Sequence, residues 1–306
     1  MPNWCVNKIE LSGRSAATVK AYWEQRNEAS FRYRKALHQA LHLFVAGVGR
    51  VLLPTQAVEF SPYPSWVSDE WLALPDCDKA AYYDQFVSLM MSDPRLTNGL
   101  CEHINDIYSA CQLEKMEWHS LMQEQQASIT EFLQTGGFWP CGQLNQEQCS
   151  TLWSELGSPA TLDETQLDLR EIVRPRLWVE LGGFNGKGFR DVLSGFDANW
   201  HELGTKWEIV TVSVHAMTDE HVNVEFDTAW GPCSEAIEHF ANSYELDLTH
   251  TYCEAGCDFC GQLTYENGVL VESVSESLEL SEEEDDDGCH EVVGPSYILG
   301  LSSYGG

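Results

Sequence analysis

Residues 3–12, Asn3-Trp-Cys-Val-Asn-Lys-Ile-Glu-Leu-Ser12, alternate apolar and polar side chains and stop at Gly13. That period of two predicts a half-buried strand. The period then lengthens. Val19, Tyr22, Trp23, Leu37, Leu41 and Phe44 recur at helical spacing, with Ser15 as the predicted cap of the helix. Residues 51–76 carry Pro54, Pro62, Pro64 and Pro75 and read as an ordered loop. Helical spacing returns over 78–91 and in a long run over 99–134 that ends at Gly136-Gly137. A shorter helix is predicted over 146–156, between Asn145 and Gly157.

From about Trp178 the pattern changes to strands. Residues 207–215 and 222–229 read as a β pair joined near Thr218-Asp219, and 234–244 as a helix. Further strands are predicted over 246–253, 259–265 and 269–275, the last two joined by Asn267-Gly268, which suits a type I′ turn. The run Glu282–Asp287 reads as a mobile acidic insert, since six adjacent like charges oppose compact packing. The apolar end Tyr297–Leu301 is expected to return to the sheet.

Charge changes this picture most. The chain has 17 Lys and Arg against 48 Asp and Glu, a formal net charge of −31. No basic residue follows Lys206, whereas 22 acids lie from Glu208 to Glu291. Such a surface repels phosphate backbones and lipid headgroups and attracts basic partners over roughly 8–10 Å. Direct nucleic-acid binding and membrane association are disfavoured. The longest apolar runs, such as 41–48, are too short to span a bilayer, and the first residues lack the layout of a signal peptide. A cytoplasmic location is expected, with the 11 cysteines reduced and acting mostly as small buried hydrophobes.

Several segments together, the opening Met1-Pro-Asn-Trp-Cys-Val-Asn-Lys-Ile-Glu-Leu-Ser-Gly13, Gly204-Thr-Lys-Trp207, Val224-Glu-Phe-Asp-Thr-Ala-Trp-Gly-Pro232, Tyr252–Gly261 and Tyr265-Glu-Asn-Gly268, resemble the YubB ferredoxin-like domain family of plasmid- and phage-encoded bacterial proteins. The resemblance covers roughly residues 1–20 and 195–275 and keeps the motif order. It implies an α+β sandwich with an antiparallel sheet on one side and helices on the other, it makes the expected cytoplasm that of a bacterial host cell, and it carries over no catalytic residue. The fold expected is α+β: a split ferredoxin-like antiparallel sheet with a large, mainly helical insertion and an acidic C-terminal segment. The boundaries expected are 1–48 with 178–275 for the ferredoxin-like domain, 49–177 for the insertion and 276–306 for the acidic segment.

Candidate chemistry is sparse. Cys253, Cys257 and Cys260 have the C-x-x-x-C-x-x-C spacing used by radical enzymes to hold an iron–sulfur cluster, but only 46 residues follow and the segment reads as strand. With His250, Cys289 or His290 as a fourth donor, the same thiols are candidate zinc ligands. Buried sheet thiols are the competing reading, and no cofactor is expected. His38 and His42 share a helix face at i and i+4 but lack the glutamate of a zinc-protease helix, so they read as a packing or surface pair. The loop Gly182–Gly188 lacks the offset and hydroxyl of a phosphate loop. Trp200, Trp207 and Trp230 read as core or sheet-face residues, the last two with no basic neighbour expected.

The acids remain. Glu225, Asp227, Glu235, Glu238, Glu245, Asp247, Glu254 and Asp258 fall on or beside predicted regular elements, and Glu282, Glu283, Glu284, Asp285, Asp286 and Asp287 form the run. Carboxylates fixed on a rigid fold can occupy a basic groove shaped for a duplex, which carries one charge per about 1.7 Å of axis. The function expected is that of a non-enzymatic acidic binding protein of a bacterial mobile element. It would inhibit a host defence or nucleic-acid-processing complex by mimicking nucleic acid, with a basic host protein or nucleoprotein complex as partner. A regulatory protein that binds host proteins through its helical insertion is the alternative, and a zinc module or metal-dependent enzyme built on Cys253, Cys257 and Cys260 is a second.

Overall fold

The computed structural model describes residues 3–56, 78–135, 146–158, 167–183, 192–284 and 290–306. In chain order the elements are β1 (Trp4–Ser12), α1 (Gly13–Val48), α2 (Asp78–Ser92), α3 (Asn98–Cys111), α4 (Gln123–Thr135), α5 (Gln146–Leu156), α6 (Leu169–Ile172), α7 (Leu177–Gly182) and α8 (Gly195–Leu203). They continue with β2 (Val210–Met217), β3 (His221–Ala229), α9 (Ser234–Tyr244), β4 (Leu248–Glu254), β5 (Phe259–Glu266), β6 (Val269–Glu276), β7 (Glu279–Glu284) and β8 (His290–Gly294).

The chain divides into two compact units. One comprises Met1–Asn27, Glu164–Val173 and Asn199–Gly306; the other comprises Glu28–Asp163 and Arg174–Ala198. The boundary at 27/28 falls inside α1, where the sequence reading put it at 48/49, and 174–198 belongs with the helical unit. Trp178, expected to open the strand region, stands in the short helix α7.

The first unit is an antiparallel sheet in the order β2-β3-β1-β4-β5-β6. The succession β1-α1-β2-β3-α9-β4 with β1 and β3 at its centre is the ferredoxin-like arrangement, extended by β5 and β6. The N-terminal turns of α1 and α9 cover one face, where Tyr22 packs on Phe240 at 5.2 Å and on Tyr244 at 6.0 Å. Gly13 makes the turn from strand to helix at φ +56°, and its N–H donates to Glu220 O. Ser15 does not cap α1: it already lies in the helix, and its hydroxyl accepts from Asp247 N at 2.8 Å. Asn267 and Gly268, at φ 48° and 78°, form the β5–β6 turn with the positive angles a type I′ hairpin demands.

The opposite face is covered in part by the chain's end. Ile298 and Leu301 pack on Val6, Cys253 and Cys260. Ala255 N donates to Tyr304 O, and Gly306 N to Trp4 O. Residues 297–301 return to the sheet as expected, but by packing on its face: they turn through a 3₁₀ helix at Ser296–Ile298, whose apolar side chains meet Val6, Cys253 and Cys260. The acidic run is not wholly a mobile insert either: Glu282–Glu284 belong to β7, which pairs with β8, while 285–287 lie outside the described residues.

The helical unit is built on the second half of α1, where Tyr33, Ala36, Ala40, Leu43 and Phe44 are buried at helical spacing against α2, α3, α4 and α5. The run 99–134 is not one helix. Gln112 adopts a left-handed conformation (φ 56°, ψ 35°) after α3, and two 3₁₀ turns, Leu113–Lys115 and Trp118–Ser120, lead to α4. Apolar content persists through this stretch, but Leu113, Met116, Trp118 and Leu121 no longer repeat at 3.6 residues. The helix predicted over 146–156 is α5.

Candidate functional site

Register decides what residues 250–261 can do. Successive residues on a strand point to opposite faces. His250 sits opposite Ile9 and Leu263, on the helix-covered face. Cys253 and Cys260 face each other across β4 and β5, on the other side, among Val6, Ile298 and Leu301. Cys257 is exposed in the turn, where Asn3 Nδ2 donates to its sulfur at 3.1 Å. The four candidate zinc donors therefore do not converge. No group of three or more metal-ligating side chains exists among the described residues. Burial pushes the Cys253 thiol up to about 12, and it raises Cys260 as well. Cys257 is raised chiefly by its hydrogen bond with Glu254. None of these is a ready thiolate.

His250 instead ends a buried polar chain. Thr228 Oγ1 donates to Gly231 O at 2.6 Å, so its oxygen is free to accept from Asn7 Nδ2 at 2.7 Å. Asn7 Nδ2 also donates to Cys5 O at 2.9 Å. This orients the amide, and Asn7 Oδ1 accepts from His250 Nε2–H at 3.0 Å. Asn7, Thr228 and His250 are all fully buried. Burial pushes the imidazole down to about 3. In the unfolded chain it titrates near 6.5. Between pH 7 and pH 5 the unfolded state therefore takes up a proton here that the folded state does not, and stability falls by about 2 kcal/mol from this group. Urea titrations at the two pH values should show a His250→Gln variant less pH-sensitive by about that amount; equal sensitivity would refute the assignment.

The acids separate into two classes. Glu225, only 4% exposed, is held by Ser302 N at 3.1 Å, by the Ser302 hydroxyl and by His215 Nε2 at 3.4 Å. Glu254, 1% exposed, accepts from Gly256 N at 2.8 Å and Cys257 N at 2.7 Å. Both were expected on the binding surface; both turn inward as structural acceptors. Asp227 is half-buried and raised, chiefly by desolvation. Glu235 and Glu238 on α9, Glu245 just after it, Asp247, Asp258 and Glu282 are exposed. Asp247 and Asp258 also brace backbone, accepting from Asn267 N at 2.8 Å and Leu278 N at 2.9 Å. Glu283 and Glu284 lie in β7, and 285–287 lie outside the described residues.

Most of the charge belongs to one unit. The sheet-bearing unit has 6 basic and 28 acidic residues in its sequence, the helical unit 11 and 20. Each of those six cations is engaged within the unit. Lys8 meets Glu10 at 3.3 Å, Arg14 meets Glu245 at 4.0 Å, Lys20 meets Asp219 at 2.8 Å and Arg170 meets Glu208 at 3.0 Å. Arg26 lies over Trp23 at 4.1 Å, and Lys206 over Trp200 and Trp230 at 5.3 and 4.9 Å. A groove of about 570 Å³ at one end of β1, β4 and β5 is lined by Glu10, Asp247 and Glu266, with Thr249, Thr264 and His221. Sequence reading missed Glu10 and Glu266, whose shared location follows only from strand register.

It also missed where segments 3–4, 205–207 and 229–230 meet. Trp4 packs on Trp207 at 6.2 Å, Trp230 N donates to Asn3 O, and Thr205 Oγ1 donates to Ala229 O at 2.9 Å. Asn3 reaches Cys257 beside Glu254. Segments far apart in the chain thus assemble one tryptophan-rich end of the sheet. Trp200 and Trp230 are 43% and 40% exposed there. Trp230 holds φ +71°, a conformation bulky residues rarely adopt. The basic neighbour not expected for Trp230 is Lys206. Of the remaining candidates, His42 is buried against Tyr108, as a packing histidine would be, and 184–191, most of the glycine loop, lie outside the described residues. Among the described residues no helix is long and apolar enough to cross a membrane.

Comparison with known proteins agrees with this architecture. Residues 31–207 match the family described as "Protein of unknown function (DUF1281)", and 206–292 match "Ferredoxin-like domain in Api92-like protein". The Escherichia coli K12 protein YubB is 36% identical over 142 residues, covering 45% of this chain and 98% of YubB. YubA of the same organism is 25% identical over 164 residues, 51% of this chain and 92% of YubA. The crystal structure of protein api92 from Yersinia pseudotuberculosis superposes with a TM-score of 0.76 at 21% identity, covering 91% of this chain and 99% of api92, a likeness of fold. With a family match across more than half its length and a ferredoxin-like domain after it, the chain belongs to the DUF1281 family of YubB-like proteins.

Proposed function

We propose that this protein is a non-enzymatic acidic binding protein of a bacterial mobile element. It acts in the host cytoplasm on a basic host protein or nucleoprotein complex of defence or nucleic-acid processing, whose nucleic-acid groove it occupies. The observation that carries this reading is the concentration of charge: 28 acids against 6 cations in the sheet-bearing unit, with every one of those cations already engaged. Glu235, Glu238, Asp247 and Glu266 stand exposed on or beside regular elements, so their carboxylates present a fixed rather than a fluctuating pattern. A basic groove that sheds counterions to bind a duplex sheds them equally to such a surface. Trp200 and Trp230 add exposed aromatic area of the kind that anchors protein interfaces.

The test is a pull-down from bacterial lysate at low salt, followed by affinity measurement on the captured partner. Basic nucleic-acid-processing proteins should dominate, duplex DNA should displace them, and affinity should fall at least ~10-fold between 50 and 300 mM salt. Neutralising Glu235, Glu238, Asp247 and Glu266 together to Gln or Asn should weaken binding comparably. Partners indifferent to salt, to DNA and to that variant would overturn the proposal.

A further inference from the structure

The six-stranded sheet ends in β2 on one side and in β6 on the other. A free sheet edge is a row of unpaired N–H and C=O groups, and proteins that leave it idle blunt it. β2 is blunted. Its pairing with β3 is irregular between Val210 and Ser213 and again between Val214 and Ala216, and Thr211 stands at φ 53°. β6 keeps an unbroken register from Glu272 to Glu276 against Thr264 to Cys260 of β5. Its irregularity lies earlier, where Val271 has no partner on β5. Except for the half-buried Val274, every residue of β6 is exposed, Val269 by 61% and Val271 by 52%.

The direction of the backbone groups follows from two contacts. Val274 O stands 2.6 Å from where a Cβ on Gly261 would lie, and Cys260 Sγ reaches Glu276 O at 3.5 Å, so both carbonyls point toward β5. Backbone groups alternate in direction along an antiparallel strand. Ser273 and Ser275 therefore turn their N–H and C=O to the open edge, where they have no backbone partner among the described residues. Side chains alternate as well. Glu272, Val274 and Glu276 share the face of Cys260, away from α9, so two carboxylates flank one apolar side chain. Glu276 also accepts from the Tyr297 hydroxyl at 3.3 Å.

We propose that β6 takes up an added strand from the basic partner, an extended segment that reads basic-x-apolar-x-basic. The partner's chemistry rests on the acidic-binding reading given above. Main-chain hydrogen bonds to Ser273 and Ser275 hold the segment, and its two cations lie opposite Glu272 and Glu276 with the apolar residue opposite Val274. Val269 and Val271 add apolar area beside it. A second copy of this chain is a poor occupant. Paired antiparallel about Val274, each Glu272 would meet a Glu276, and neither strand carries a Lys or Arg to offset the repulsion.

The probe is the acetylated, amidated heptapeptide Thr-Lys-Thr-Val-Thr-Lys-Thr, with a control carrying Glu in place of both lysines, titrated into the full chain at about 50 mM salt. The lysine peptide should bind with a dissociation constant below ~1 mM, at least ~10-fold more tightly than the control. At saturation the amides of Ser273 and Ser275, fast to exchange in the free protein, should exchange at least ~10-fold more slowly. Ser273→Pro removes an outward donor and leaves the β5 ladder whole, so it should weaken binding by ~10-fold or more. The charge swap Glu272→Lys/Glu276→Lys should reverse the preference between the two peptides, and it decides if Ser273→Pro fails to fold. Protection of both amides in the free chain, no binding of the lysine peptide, unchanged affinity in a folded Ser273→Pro, or a preference that survives the charge swap would each overturn the assignment. No captured partner enters these measurements, so they stand or fall apart from the salt and DNA tests of the proposed function.

Discussion

Replacing Asn7 with leucine is expected to destabilise the sheet-bearing unit by about 3–5 kcal/mol, measured as a drop in the urea midpoint at constant slope. Leucine matches asparagine in size, so the loss comes from what its neighbours can no longer do. Asn7 lies in the central strand with no exposed surface. Its amide satisfies Thr228 Oγ1 and Cys5 O on one side and His250 Nε2–H on the other. Each buried polar group left without a partner costs about 1–3 kcal/mol, and the imidazole is the worst placed, because its Nδ1 has no partner among the described residues either. The double variant Asn7→Leu/His250→Phe removes the stranded donor with its acceptor. It should recover more than half of the loss, since deleting both partners of a buried hydrogen bond is far cheaper than deleting one. A single variant within about 1 kcal/mol of the parent, or a double variant worse than both singles together, would show that the chain from Thr228 to His250 does not support the sheet.

Much of this unit was readable in the sequence, for reasons that can be named. The alternation of residues 3–12 and the Asn267-Gly268 pair each satisfy a local rule, and local rules survive without knowledge of partners. The helix α5 was delimited because apolar spacing and end signals agreed. The run 99–134 divides at the left-handed Gln112, where apolar residues continue but their helical spacing lapses through Leu113, Met116, Trp118 and Leu121. Facing was the larger gap. Glu225 and Glu254 have the charge of surface residues, and nothing short of strand register reveals that Ser302 and the 255–257 turn claim them. One part of that gap was avoidable. His250 and Cys253 are three residues apart in a strand, an odd spacing, which alone places them on opposite faces and argues against a shared metal.

The same register gives residues 252–261 a structural meaning that residue types alone do not. Glu254 closes the turn by accepting from Gly256 N and Cys257 N, and a Cβ at Gly256 would lie 2.7 Å from that carboxylate. The Glu-Ala-Gly element is thus a turn with its own acceptor built in. Asn3, Trp207 and Trp230 converge on this end of the sheet, where segments distant in sequence are held by contacts with one another: Asn3 with Cys257 and Trp230, and Trp4 with Trp207.

Gly261→Ala should be the second costly change, at about 2–4 kcal/mol, although it adds only one methyl group. Gly261 pairs with Tyr252 across β4 and β5, and the tyrosine ring lies over the glycine. A Cβ here would collide with the ring at its hydroxyl end and would stand 2.6 Å from Val274 O on β6. The ring cannot simply swing away, for Tyr252 is 9% exposed and packed between His250 at 5.6 Å and Phe259 at 6.2 Å. Nor can the carbonyl, which belongs to the backbone of the neighbouring strand. Tyr252→Ala in the same chain would relieve the first collision and leave the second. The pair should therefore lose less than the two single changes added together, with a coupling of about 1 kcal/mol or more. Thermal and urea unfolding of the four proteins measures it, and strict additivity would mean that the ring does not constrain this position. The glycine of Phe259-Cys-Gly261 would then be required by the Val274 carbonyl alone, since its φ is not in the left-handed region.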